Sequence, residues 1–174
     1  YEKEGFMKRT SKCLLKVLSV VIIISCIFPV CGVAAMPTSV QNTYWSAIVS
    51  TATGQLNKPY VYGARGPSSF DCGGLAYYVY SQNGHTISSA CAADQAEGMV
   101  IDGRSVTYLE KSYLIFYDLD PTYNGRYLGI DHVAIYIGNG YIIDASSSSG
   151  KVVKRAASLM QSSMVVEARP ELYL

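Results

Sequence analysis

His132-Val133-Ala134-Ile135-Tyr136-Ile137-Gly138-Asn139-Gly140-Tyr141-Ile142-Ile143-Asp144-Ala145 is a pair of apolar, β-branched runs joined by an asparagine between two glycines. The runs suit a pleated, half-buried surface, and Asn-Gly accepts the positive φ of a tight turn, so the stretch reads as a β-hairpin. Working outward, further strands are expected at 106–109, 114–117, 152–153 and 164–168. Upstream the period changes. Trp45, Ile48, Val49, Ala52 and Leu56 recur at three-and-four spacing, which predicts an amphipathic helix from 43 to about 56 despite Gly54. A turn-rich stretch, 57–69, leads to Asp71 and a second helix in which Leu75, Ala76 and Val79 share a face with Cys72, with Gly84 as its stop. Residues 92–96 carry no clear pattern. Helices first and strands second predict an α+β domain with N-terminal helices packed on one side of a central antiparallel sheet. A chain of 174 residues that is 49% hydrophobic suits one catalytic-sized core, and no internal repeat divides it.

The net charge is +1 and the basic residues are scattered, so no electrostatic footprint for nucleic acid is present. Tyrosine is abundant, 15 against one Trp, which suits half-exposed strands and a surface that meets polar polymer. Lys3-Glu4-Gly5 can be encoded by a purine-rich ribosome-binding sequence, so translation is expected to start at Met7. From there Lys8, Arg9, Lys12 and Lys16 form a positive region, 17–30 is apolar, and Val33-Ala34-Ala35 offers small residues for cleavage before Met36. Residues 1–35 are therefore expected to be an upstream extension and secretory signal peptide, and 36–174 one domain, secreted and extracellular or wall-associated. A membrane anchor is the competing reading, but the run falls short of the ~20 residues a spanning helix needs and contains Pro29. Ile23-Ile24-Ser25-Cys26 loosely resembles a lipobox, a third reading that leaves an apolar tail behind the modified cysteine.

Cys13, Cys26 and Cys31 fall in the leader, leaving Cys72 and Cys91. Two cysteines make no disulfide framework, and no cysteine–histidine spacing suggests zinc, so neither metal nor cofactor is expected. The remaining uses are a reactive thiol, one lone disulfide, or packing. A thiol in the first turn of a helix is favoured as thiolate by the unpaired backbone N–H groups, which can also receive an oxyanion. Cys72 holds that position, although the apolar face of its helix would equally accept a buried cysteine. A base is needed, and His85 and His132 are available. His85 follows the cap glycine and reads as a solvated turn residue. His132 opens the alternating strand, where a structural histidine competes with a base. Asp144 can orient it only in one register: a two-residue loop, Asn139-Gly140, pairs Asp144 with Ile135 on the opposite face, whereas a three-residue loop pairs it with Ala134, diagonal to His132. Asp131 points the other way along the strand and is the weaker orienter.

Pro59-Tyr60-Val61-Tyr62-Gly63, Phe70-Asp71-Cys72-Gly73-Gly74-Leu75 and 132–140, in that order and spacing, resemble the NlpC-type family of papain-like cell-wall endopeptidases over roughly 43–169. The resemblance implies a papain-like fold with the nucleophile at a helix N-terminus and cleavage of peptidoglycan stem peptides, commonly at the γ-D-glutamyl to diamino-acid bond. It implies Cys72 as nucleophile, His132 as base and Asp144 as the third polar residue, with Tyr60, Asp71 and Gly73 on the substrate side. Two departures touch recognition: Gly73 stands where the family usually has serine, and Ala90 and Ala92 stand where it has Arg-x-Ser before Asp94-Gln95. An amidase or acyltransferase of the same fold, or a non-catalytic wall-binding module, are the alternatives.

Overall fold

Three helices precede five strands in the computed structural model, which describes residues 38–170 apart from 89, 90, 102, 106 and 123. These residues lie in the compact unit Pro37–Leu174. The expected leader, 1–35, and Ala90 lie outside the described residues.

Helix α1, Thr38–Thr53, begins five residues before the expected start at 43 and ends before Gly54. The hydroxyls of Thr43, Ser46, Thr51 and Thr53 are satisfied within it, each donating to the carbonyl four residues back. Ile48 and Ala52 form its buried spine. Helix α2, Cys72–Ser81, starts on an extended Asp71 (φ −95, ψ −178) whose Oδ1 accepts from Gly74 N at 2.6 Å, a side-chain N-cap. It ends short of Gly84, whose φ of +81 lets the chain turn back so that His85 N reaches Tyr80 O. His85 is therefore no solvated turn residue. It is buried, with its ring 4.4 Å from Tyr44 in edge-on geometry, because the reversal folds it under α1. Helix α3, Ala92–Ile101, is a finding beyond the sequence reading: its buried face is Ala92, Ala93, Gln95, Ala96 and Met99, and alanine leaves little hydrophobic signal.

Strands β1 Leu114–Tyr117, β2 His132–Gly138, β3 Tyr141–Ser146, β4 Lys151–Ala156 and β5 Met164–Ala168 form one antiparallel sheet in the order β4-β3-β2-β1-β5. This is the expected α+β class. Of the strand expected at 106–109, the described residues 107–109 form none. Among the described residues Ser105 makes a single bridge to Ala168, Leu109 packs against the cluster of Ile115, Tyr117, Ala134 and Ile142, and Tyr108 stands exposed, so the apolar residues here serve packing rather than a ladder. Alternation splits the sheet's side chains between two clusters. Leu114, Phe116, Val133, Ile135, Ile143, Ala145 and Val152 pack with the helices, whereas Ile115, Tyr117, Ala134 and Ile142 form a smaller cluster on the other face, covered by Met160 from the segment Ala157–Ser163. Each fully buried aliphatic such as Ile135 contributes ~1.5–3 kcal/mol.

Between 57 and 71 the chain wraps the start of α2. Asp71 Oδ2 accepts from Gly63 N at 2.8 Å and Asp71 N donates to Ala64 O at 2.8 Å. The approach is so close that a Cβ on Gly74 would lie 2.1 Å from Ala64 O, so only glycine fits there. Tyr60 is fixed in the same wrap by a bridge to Phe70 and by its N–H to Gly150 O at 2.9 Å.

Candidate active site

Cys72 is the first residue of α2 and is half-buried, its Sγ 3.9 Å from the carbonyl oxygen of Asp131. That carbonyl belongs to the residue before β2, so the helix N-terminus and the strand start meet. The His132 ring therefore comes within electrostatic reach of the Cys72 thiol although its strand face is the one turned from the helices. One ring nitrogen, Nε2, lies 2.9 Å from Asp144 Oδ2. With Nε2 taken, Nδ1 is the nitrogen left for the thiol.

The register of the β2–β3 hairpin makes this possible by combining the two turns the sequence offers. Gly138 pairs with Tyr141 across a two-residue loop, Asn139 (φ 54) and Gly140 (φ 77). Ile137 then has no partner, and the ladder resumes one residue out of step with Tyr136 opposite Ile142 and Ile135 opposite Ile143. Continued by one residue, this places Asp144 opposite Ala134 and diagonal to His132.

Asp144 has no exposed surface, and Arg155 of β4 donates to both of its oxygens, from Nε to Oδ1 at 2.9 Å and from its terminal NH2 to Oδ2. Burial lowers the affinity of the His132 ring for a proton, but the hydrogen bonds to Asp144 and Cys72 and their negative charges outweigh it, so its pKa is pushed from the ordinary 6.5 up to about 9. The ring thus carries positive charge beside the sulfur at neutral pH. Tyr117 lies 6.0 Å away, ring to ring, and closes the inner side. Tyr60 is on the outer side; its phenol pKa is raised by partial burial, then by the nearby negative charges of Cys72 and Asp71.

Asp71 spends both carboxylate oxygens on the backbone of Gly63 and Gly74, so it builds the site's wall as well as facing it. Gly73 is buried and its carbonyl accepts from Gln95 Nε2 at 2.9 Å, which ties α2 to α3. Asp131 is directed away from His132: its oxygens accept from Leu119 N and Asp120 N, both at 3.0 Å, and so fix the start of the 118–130 loop that feeds into β2. Arg155 was not singled out by the sequence; the two-residue period that carries Val153 to Arg155 was the available signal. Among the described residues no group of three or more His, Cys, Asp or Glu side chains could hold a metal ion, and no helix is long and apolar enough to cross a membrane.

Residues 57–169 match the NlpC/P60 family. A curated relative, the probable endopeptidase p60 of Listeria grayi, is 37% identical over 108 residues, 62% of this chain and 19% of that protein. The chain spans about a fifth of the length of the Listeria relatives it matches. Among solved structures, the NlpC/p60 domain of the peptidoglycan hydrolase SagA is 28% identical with a TM-score of 0.56, covering 71% of this chain and 97% of that one. An NlpC/P60 family protein from Bacillus cereus ATCC 10987 is 25% identical with a TM-score of 0.62, covering 72% and 40%.

Proposed function

The chain belongs to the NlpC/P60 family, and on that premise we propose that it is a cysteine peptidase hydrolysing an amide bond in peptidoglycan stem peptides, at the γ-D-glutamyl to diamino-acid linkage. The observation that carries this reading is the approach of Cys72, at a helix N-terminus, to the start of the strand whose first residue, His132, is held through Nε2 by Asp144. The Cys72 thiolate attacks the scissile carbonyl carbon, and the oxyanion that forms faces the N–H groups of the first turn of α2. Imidazolium His132 gives its Nδ1 proton to the leaving amine. The neutral ring then takes a proton from water, which attacks the thioester, releases the new carboxylate and restores the thiolate–imidazolium pair. Asp144 holds the ring; Tyr60, Asp71 and Gly73 border the bound peptide.

Residues 1–35 belong to the same proposal as an export leader, with 36–174 as the catalytic domain acting outside the cell or at the wall. The charge and apolar pattern of the leader supports this. A second reading, an amidase or acyltransferase on another substrate, is favoured by the bare backbone at Gly73 and by Ala92, which is buried in α3. Incubation of the purified protein with peptidoglycan, followed by mass spectrometry of the released fragments, separates these. New γ-D-glutamyl termini that are absent with Cys72→Ala support the peptidase, and an unchanged digest would sink it.

A further inference from the structure

Asp144 is a carboxylate without any solvent exposure, and such a group is costly unless it is paired and hydrogen-bonded. His132 Nε2 meets only Oδ2. The remaining capacity is taken by Arg155, whose planar fork engages Oδ1 and Oδ2 together. The sheet places it there: Ile142 is opposite Arg155 and Asp144 opposite Val153, so Arg155 is the same-face diagonal neighbour of Asp144. Strand β4 is the sheet edge, so the guanidinium reaches inward from a partly exposed position while its partner is sealed. Oδ2 is shared between imidazole and guanidinium, so the position of Arg155 determines where that oxygen lies relative to the ring.

We propose that Arg155 is a positioning residue of the site, which locks the Asp144 carboxylate in the one orientation that holds His132. This rests on the reading of Cys72 and His132 as the reactive pair. The other charged or titratable groups turned toward this cluster are Cys72 from α2, Tyr117 from β1 and Glu167 from β5, which acts on Tyr117. Among the described residues, none of these supplies Asp144 with a cation. Without Arg155 the carboxylate is free to turn away from Nε2; for Arg155 to act in this way, that loss must outweigh the relief of repulsion between guanidinium and imidazolium on the shared Oδ2, so that the imidazolium loses support.

The test follows His132 by NMR titration and the rate at which iodoacetamide modifies Cys72 at pH 6, in the full chain; neither readout needs a substrate. In Arg155→Met the His132 pKa should fall by about one unit or more and the modification rate by roughly tenfold. Arg155→Lys, which keeps the charge and loses the fork, should fall between wild type and Arg155→Met. Asp144→Asn/Arg155→Met should titrate like Asp144→Asn alone, since Arg155 acts through the carboxylate. A folded Arg155→Met or Arg155→Lys with wild-type titration and reactivity, or with a raised His132 pKa, overturns the proposal, as does a double variant that shifts further than Asp144→Asn. If wild-type Cys72 is unreactive at pH 6, the reactive pair itself is wrong and both readings fall; if it is reactive and the Arg155 variants match it, only the role of Arg155 falls.

Discussion

Asp144 meets His132 at 2.9 Å because Ile137, in the strand between them, has no cross-strand partner. One unpaired residue moves the whole of β3 by a step, and a step decides which sheet face a side chain occupies. Asp144→Asn should therefore test the carboxylate without disturbing the register. Asparagine keeps an oxygen for Arg155 and loses the negative charge that, with the hydrogen bond, raises His132 to about 9. The alkaline limit of kcat/KM should move down toward the ordinary imidazole value of 6.5, with part of the activity retained near pH 6. A pH–rate profile identical to wild type would mean that Asp144 only packs.

Cys72 should be the cysteine whose loss abolishes activity. Cys91 is exposed beside Asp94, with its Sγ 3.4 Å from Oδ2, and nothing like the His132 ring adjoins it. Cys72→Ser should remove activity and also lower the His132 pKa, because the hydrogen bond and charge of Cys72 are two of the causes holding it up. NMR titration of that variant gives the second readout. Cys91→Ser should stay within twofold of wild type; a larger loss would put Cys91 in the machinery.

Legibility in the sequence followed the strength of the hydrophobic signal. Strands β1 and β5, Leu114–Tyr117 and Met164–Ala168, stand where their β-branched and aromatic runs predict. Helix α3 was hidden because its buried face is mostly alanine and Gly98 interrupts it, so tertiary packing rather than periodicity reveals it. His85 reads as solvated in the sequence because a cap glycine marks a turn but does not say what the turn folds beneath. At the site, the residue types and spacing of Cys72, His132 and Asp144 were visible, whereas the choice of register was left open, since Asn139-Gly140 permits a two-residue loop and only the bulge at Ile137 resets it. For Arg155 the two-residue period from Val153 gives its face but not its partner, because the partner lies in a diagonal contact that depends on the β3–β4 register.

Gly74→Ala should damage the fold rather than the chemistry. Its new methyl would lie 2.1 Å from Ala64 O, a backbone atom held by Asp71 N, so it cannot yield as a side-chain tip would. The wrap and the start of α2 must separate, and the cap from Asp71 to Gly74 N is strained with them. A loss of about 3 kcal/mol is expected in urea unfolding. Gly84→Ala meets no neighbour and is opposed only by its positive φ, so its cost should be nearer 1 kcal/mol, on the order of the usual left-handed penalty. Equal costs at the two positions would show that the contact with Ala64 relaxes.

The same proton that supports catalysis bears on the pH dependence of stability. The His132 pKa is raised on folding, from 6.5 to about 9, so the folded ring keeps a proton that the unfolded ring releases between those values. The ring's own contribution is fully present below pH 6.5 and is lost as pH rises through about 9. In the thiolate–imidazolium pair Cys72 has given up its proton, which an ordinary unfolded thiol keeps to about 8.5, so the two proton counts largely cancel between about 6.5 and 8.5. Urea unfolding across that interval should therefore show a change of about 1 kcal/mol or less in the wild type. A steep loss of stability across it would contradict the thiolate–imidazolium pair.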